Sequence, residues 1–333
     1  MSEPVTLGSP VTAPDLDRME QAARQLYPPI QRTPLLAHRG AGADESARIL
    51  LKPEVHQRVG SFKLRGVYQA VSSLTDSERR QGLSTVSAGN TAQALAWCGR
   101  YFGVAAYCLM PDTAPPTKIE AVRALGGTPR LVPREEVFQF LREARWRNEP
   151  HAFVHPWIDR RVLLGHASLG LEIADDVEFL EKSGRIAVYL PVGGGGLLAG
   201  AASALRARGA PVRIVAVEPT GCPALARALE QDRPVTVDCR TACDGIAVPY
   251  ITEEMFPLLR TLVDDVALVE EDATRSAIRE LALQDKLVAE PSGAIALAAA
   301  KARRDRSHLA VAVISGGSID PRLLADVLTA GGG

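Results

Sequence analysis

The chain is predicted to adopt an α/β fold, and three features predict it. Short apolar runs alternate with Ala-, Leu- and Arg-rich helical stretches along most of its length. Several of the apolar runs end in glycine-bearing turns that open the next helix. The length, 333 residues, with 46% hydrophobic and 23% charged residues, is enough to bury a sizeable core and suits two domains better than one or three. Strand and helix alternating at this spacing build parallel sheets covered by helices on both faces.

The elements follow in order. Residues 1–14 read as a polar, proline-bearing, flexible leader with no core to join. A helix is expected from about Leu64 to Val71, opened by a Gly-Ser turn. Leu83–Ser87 reads as a strand, Thr91–Phe102 as a helix, Ala105–Met110 as a strand, Lys118–Leu125 as a helix and Thr128–Val132 as a strand. Further on, Ile186–Pro191 is a strand, Leu197–Arg208 a helix, Arg213–Val217 a strand, Ala294–Ala302 a helix and Leu309–Ile314 a strand.

Charge and cysteine content narrow the function. Thirty-eight basic and 39 acidic residues leave a net charge of −1, so no basic field exists to hold nucleic acid or an anionic membrane. Small molecules and other protein chains are the expected partners. Five cysteines, Cys98, Cys108, Cys222, Cys239 and Cys243, are few and odd in number, which argues against a disulfide framework. No basic stretch followed by an apolar run opens the chain, and no apolar run is long enough to span a bilayer, so a soluble, cytoplasmic protein is expected.

Five segments carry chemistry. In Pro191–Gly200 an apolar strand runs into four consecutive glycines, Gly193, Gly194, Gly195 and Gly196, and then an Ala-rich helix. Without Cβ atoms, successive backbone N–H groups can converge on one anion, and the helix dipole adds to the attraction, so the turn reads as a phosphate cradle. The alternative is a turn that merely lets helix and sheet approach. In Gly60–Gly66 the ammonium of Lys63 lies between Phe62 and Leu64, where desolvation would lower its proton affinity toward that of a nucleophile; taken alone, a snorkelling surface lysine is the better reading. In Val86–Trp97, Ser87, Asn90 and Thr91 stand at a helix N-terminus, a seat for a carboxylate or a set of simple N-caps. Glu290-Pro-Ser-Gly293 and Ser315-Gly-Gly-Ser318 also read as caps when taken singly.

Together these pieces resemble a known family. S-F-K-x-R-G at Ser61, S-A-G-N at Ser87, M-P-x-x-x-P-x-x-K at Met110, the tetraglycine at Gly193, E-P-S-G-A at Glu290 and S-G-G at Ser315 occur in one order over residues 30–325. The set is similar to the fold type II (tryptophan synthase β-like) pyridoxal-phosphate enzymes, and within them to the serine/threonine dehydratase and serine racemase branch. The resemblance implies a large cofactor-binding domain of residues 15–81 plus 154–330, a small domain of 82–153, a cofactor in the cleft between them, and a homodimer. It implies that Lys63 forms the Schiff base with pyridoxal 5′-phosphate and removes the substrate α-proton, and that Phe62 lies against the ring. Gly193–Gly196 would hold the phosphate and Asn90 the ring 3′-oxygen. Ser87, Asn90 and Thr91 would bind the substrate carboxylate, and Ser315 would meet the ring nitrogen. A serine there makes the cofactor a weaker electron sink than an aspartate would, which favours β-elimination. The implied activity is dehydration and deamination of a β-hydroxy amino acid such as threonine or serine. The alternatives are β- or γ-replacement, as in threonine or cysteine synthases, and a dehydratase for hydroxyaspartate, phenylserine or a hydroxyectoine-derived amino acid. A catalytically idle cofactor-binding protein is a further reading, against which the intact Lys63, Asn90, tetraglycine and Ser315 set argues.

The departures matter too. Serine racemases carry a serine, as acid/base opposite the lysine, where this chain has Ala88. Relatives that bind Mg or Ca use a glutamate and an aspartate six residues on; Glu218 is present but the second position is Ala224, so no metal is expected. Thr91 stands where dehydratases usually have histidine, Leu64 where the synthases have aspartate, and Ser318 where asparagine is usual. Trp157, Arg160, Arg161, His166 and Ser168 replace the family's residues in a segment that partly lines the active-site mouth. His151 and His155, flanked by prolines and lacking partners at matching spacing, are not read as metal ligands, and Cys239 and Cys243 are read as buried or loop thiols.

Overall fold

The computed structural model describes residues 9–41, 48–178, 186–303 and 309–330. It holds two sheets. The six-stranded sheet contains β1 (Leu36–Ala37), β2 (Arg48–Pro53), β7 (Ile186–Pro191), β8 (Val212–Pro219), β9 (Asp265–Val269) and β10 (Leu309–Ile314), and the four-stranded sheet contains β3 (Leu83–Val86), β4 (Ala106–Pro111), β5 (Thr128–Val132) and β6 (Ala152–Phe153). The larger sheet runs β1-β2-β10-β7-β8-β9, parallel throughout except for β1 against β2, and the smaller runs β5-β4-β3-β6, all parallel.

The central strands show why both faces of the larger sheet must be covered. Every residue of β7 and β10 is buried. In β10, Leu309, Val311 and Val313 join one core cluster with Leu198, Ala201 and Leu205 of the helix Gly196–Ala207. The intervening Ala310, Ala312 and Ile314 join the other, with Ala296, Leu297 and Ala300 of the helix Pro291–Ala302. Alternate side chains of a strand point to opposite faces, so a continuous apolar run fills two cores at once. Each such Val or Leu side chain contributes about 1.5–3 kcal/mol by leaving water. The smaller sheet packs Leu83, Cys108 and Met110 against Leu95 and Cys98 of the helix Asn90–Phe102.

One expectation is corrected here. Within the predicted leader, the described residues 9–14 do reach a core: Val11 is buried in the main cluster, and its amide donates to the Glu254 carbonyl at 2.8 Å. A single valine among prolines carries no periodicity, so its burial could not be read locally. Residues 1–8 lie outside the described residues. Among the described residues no helix is long and apolar enough to cross a membrane.

Parallel α/β sheets present their ligand sites beyond the carboxyl ends of the strands. Here the carboxyl ends of both sheets meet at one cavity. The turns after β3, β4, β7 and β10 contribute Ser87–Thr91, Thr113–Pro115, Gly193–Gly196 and Ser315 to its wall.

Candidate active site

Lys63 begins the helix Lys63–Ser72 and lines the cavity, which has a volume of about 210 Å3. The surface-lysine alternative is therefore overturned. Protein surrounds the side chain, and what remains accessible faces the cavity. Burial pushes its ammonium down from 10.5 to about 8, partly opposed by the Glu290 carboxylate. It makes no hydrogen bond among the described residues, and its Nζ stands 4.8 Å from the Phe62 ring centroid. Backbone contacts tie its turn to the Ser315 segment: the Phe62 amide donates to the Ser315 carbonyl at 3.1 Å, and Ser61 bridges Gly316.

Two residues on, Arg65 anchors the same helix. It is fully buried and donates to both oxygens of Glu54 (2.7 and 2.8 Å) and of Glu172 (2.6 and 3.0 Å). Lys52 shares Glu172 at 2.8 Å, so two cations meet two carboxylates, and these paired charges hold the guanidinium's proton affinity well above its usual value. Removing one partner from such a cluster costs about 3–5 kcal/mol. The arginine of the S-F-K-x-R-G segment thus fixes the first turn of the lysine's helix.

The tetraglycine turn forms another part of the cavity wall. Gly195 has φ of +88°, which glycine adopts without strain, and a Cβ at Gly194 would lie 2.4 Å from the Trp157 ring. No side chain caps the helix that begins at Gly196. Its first amides are open and carry the positive end of the dipole, the arrangement that receives an anion.

At the end of β3, Ser87 does not cap the following helix. Its hydroxyl accepts from the Gly89 amide at 3.1 Å inside the turn, and the first amides of Asn90–Phe102 have no side-chain cap. The N-capping alternative is corrected accordingly, and a second anion seat is left facing the cavity. Asn90 Nδ2 donates to Glu290 Oε1, while Asn90 Oδ1 is buried without a partner. Lys118 Nζ holds Glu290 at 2.9 Å and Asp244 at 2.7 and 2.9 Å, and its two carboxylate partners keep it protonated well above the usual range. Ser315 Oγ donates to the Ser292 carbonyl at 3.1 Å. Val137, Phe138, Leu141 and Val248 form an apolar wall, with Arg134 beside Phe138.

Residues 26–316 match the family described as pyridoxal-phosphate dependent enzyme. The chain belongs to that family. It is 34% identical over 321 residues to an L-threonine ammonia-lyase of Thermotoga maritima, covering 95% of this chain and 78% of the relative. Among solved structures it is similar to maize serine racemase, with a TM-score of 0.86 at 28% identity over 96% of this chain and 98% of that one. It is also similar to a threonine deaminase from the organism abbreviated T.th., with a TM-score of 0.83 at 35% identity over 92% of this chain and 99% of that one.

The cofactor of this family is pyridoxal phosphate, and the cavity fits it. An amine without an acceptor suits an aldehyde, an uncapped helix start whose four glycines line the cavity suits a phosphate, and Asn90 offers a buried amide oxygen that nothing else satisfies. Phe62, Lys63, Ser87, Asn90, Thr91, Gly193–Gly196 and Ser315 all line this one cavity.

The unusual residues near Trp157 divide. Trp157 lines the cavity, but Arg160, Arg161, His166 and Ser168 are not in its wall. Arg161 pairs with Asp159 at 2.6 Å, and Ser168 accepts from Arg65 at 3.0 Å. His166 Nδ1 lies 3.3 Å from the Gly196 carbonyl, and burial keeps its ring neutral, pushed down to about 3. Glu218 accepts from the Leu225 and Ala226 amides at 2.7 and 2.9 Å, and burial pushes it up to about 7. His151 stacks on Tyr107, while His155 is buried and pushed down to about 3. Among the described residues no group of three or more His, Cys, Asp or Glu side chains is set to hold a metal ion.

One cysteine reading is also corrected: Cys239, expected to be a buried or loop thiol, is bonded to Cys222, while Cys98, Cys108 and Cys243 are free and buried. An odd count excludes complete pairing, but it says nothing about one bridge between segments the fold sets side by side. Reasoning from sequence also missed the roles of Lys118 and Asp244. Lys118 closes the M-P-x-x-x-P-x-x-K motif, but its partners are 126 and 172 positions away.

Proposed function

We propose that the protein is a pyridoxal-phosphate-dependent ammonia-lyase that dehydrates and deaminates a β-hydroxy amino acid to a 2-oxo acid and ammonia. One juxtaposition carries this reading: Lys63 shares a cavity with the open helix start at Ser87–Thr91, and Ala88 stands in the same wall. An amine base on one side, a carboxylate seat, and a methyl group where racemases place a second acid/base suit elimination better than racemisation. The similarity to threonine ammonia-lyases supports it.

In this reading Gly193–Gly196 would hold the cofactor phosphate, and Phe62, Asn90 and Ser315, which line the same cavity, would hold its ring, its 3′-oxygen and its ring nitrogen. Bound pyridoxal phosphate supplies the electron sink for the α-carbon. Ser87, Asn90 and Thr91 receive the substrate carboxylate and so orient the Cα–H bond. Lys63 Nζ takes the α-proton, a task suited to an amine whose proton affinity burial has brought down to about 8. The Val137, Phe138, Leu141 and Val248 wall contacts the substrate side chain and excludes water from it.

The test is 2-oxo acid release by the cofactor-loaded protein from L-serine, L-threonine, both 3-hydroxyaspartate diastereomers and phenylserine. Release from at least one, abolished in Lys63→Ala with the fold retained, is expected. No release from any of them, or unchanged turnover in Lys63→Ala, overturns the proposal.

A further inference from the structure

The bridge between Cys222 and Cys239 stands at the base of a segment that forms part of the cavity wall. Cys239 itself lines the cavity, as do Thr241 and the run Asp244–Val248 just beyond it. The segment reaches the two features that matter most there. The backbone of Ile246 lies against the tetraglycine turn, so close that a Cβ on Gly193 would be 2.9 Å from Ile246 Cα. Asp244 is held by Lys118, which also holds Glu290.

The anchoring of this segment is uneven. Beyond residue 240 it is tied by Thr241 Oγ1 to Glu271 and by the Gly245 amide to Ser292 Oγ at 2.9 Å. At its base the Arg240 amide donates to the Gly221 carbonyl at 2.8 Å, an approach so tight that a Cβ on Gly221 would sit 2.0 Å from the Arg240 carbonyl oxygen. The bridge is the covalent tie at that base, and it fastens the segment to the start of the helix Ala224–Glu230.

The bridge is also selective. Cys98, Cys108 and Cys243 are buried, and burial raises all three thiols far above neutrality, Cys108 and Cys243 to about 12. Thiols of that kind are inert in exchange. Cys222 is buried, but Cys239 is partly exposed at the cavity, so an attacking thiolate reaches the pair from that side. One reachable bridge beside three inert thiols differs from the dense disulfide scaffold of small secreted domains, and a reachable bridge is one that thiol–disulfide exchange can open and reform.

We propose that Cys222–Cys239 is a redox-modification site through which thiol–disulfide conditions set how firmly the cavity holds the cofactor phosphate. The reducing step consumes one dithiol. Its thiolate attacks Cys239 Sγ, the S–S bond breaks, and the Cys222 sulfur leaves and takes up a proton. The second thiol of the reductant then releases Cys239 as a thiol and closes a cyclic disulfide, so the protein gains two electrons and two protons and the dithiol loses them. Glutathione disulfide reverses the change by two successive exchanges. Once the bridge is open, the base of the segment is held by hydrogen bonds alone, and Ile246 no longer fixes the glycine turn as tightly. The proposal rests on the assignment of Gly193–Gly196 as the phosphate seat.

The experiment compares full-length protein oxidised with glutathione disulfide and protein reduced with dithiothreitol, the reagents being removed without air. Alkylation and peptide mapping report the state of each cysteine. Absorbance titrations report affinity for pyridoxal phosphate and for pyridoxal, which lacks the phosphate. Reduction is expected to weaken pyridoxal phosphate about tenfold, equivalent to about 1.4 kcal/mol, and to change pyridoxal by less than about twofold. The Cys222→Ser/Cys239→Ser double variant should match the reduced protein under both conditions, and Cys98→Ala should still respond. Alkylation of both Cys222 and Cys239 after oxidation overturns the proposal, as does equal affinity in the two states or an equal change for both ligands. Gly194→Val, titrated with the same two ligands in the oxidised state, tests the phosphate seat independently of the bridge.

Discussion

Asn90 and Glu290 are 200 positions apart in the chain, yet the amide Nδ2 of the first donates to the carboxylate Oε1 of the second. Asn90 opens the helix that follows β3 in the smaller sheet, and Glu290 stands at the start of the helix packed beneath β10 in the larger. Lys118 takes the other oxygen of Glu290. The two sheets are thus joined at the cavity by a chain of Asn90, Glu290, Lys118 and Asp244.

Removing the cation from that chain is predicted to be costly. In Lys118→Met two carboxylates, one of them buried, lose their shared partner, and a loss of about 3 kcal/mol is expected in urea denaturation of the cofactor-free protein. Lys118→Arg keeps the charge and should lose less than half as much. Equal losses in the two variants would mean that packing, not charge, is what Lys118 supplies.

The depressed proton affinity of Lys63 makes a signed prediction about stability. Its folded value of about 8 lies below its usual 10.5, so the unfolded chain binds more protons between those two pH values. Stability from this group therefore rises as pH climbs from about 8 to 10.5, and below 8 the folded protein carries a penalty of roughly 2 kcal/mol, allowing for solvent that reaches the lysine through the cavity. Cofactor-free Lys63→Met should melt above cofactor-free wild type at pH 7, with the gap closing toward pH 10.5. A gap that widens with pH would contradict the assignment.

Filling the glycine turn should weaken the fold and the cofactor seat together. The Cβ of Gly194→Ala would overlap the Trp157 ring, and overpacking of that kind costs about 1–3 kcal/mol. Equilibrium dialysis should show pyridoxal phosphate affinity falling by about ten- to a hundredfold, and Trp157→Phe should restore part of it by making room.

Ala88→Ser tests the reason given for elimination. A hydroxyl on that wall supplies a proton donor beside the substrate seat. Conversion of L-serine to D-serine should become detectable by chiral chromatography while 2-oxo acid release continues. An unchanged product ratio would show that Ala88 does not govern the choice.

Much of the frame was legible because parallel strands buried on both faces read as unbroken apolar runs. Ile186–Pro191 and Leu309–Ile314 form at the residues expected, and the helix after the tetraglycine starts at Gly196, one residue early. Edge elements gave no such signal: β6 is two residues long, and β9 begins on an aspartate. In the site, Gly193–Gly196 could be read as a phosphate cradle from local chemistry, whereas Lys63, which taken alone reads as a surface lysine, stood out only through the family resemblance. Glu290 looked like an ordinary cap, and Cys239 like a buried or loop thiol, because their partners come from other segments and only the folded topology makes them neighbours.

The apolar wall of the cavity has an evolutionary consequence. Val137, Phe138 and Leu141 come from the helix Arg134–Arg142, whereas the amine, the glycine turn and Ser315 come from other segments. Substitutions at separate sites with no shared partners combine almost additively. On the proposed function, laboratory selection would therefore recut that helix for new amino-acid side chains while the residues proposed to grip the vitamin-derived group stay untouched, and a lineage built this way would diversify its diet without reinventing its chemistry.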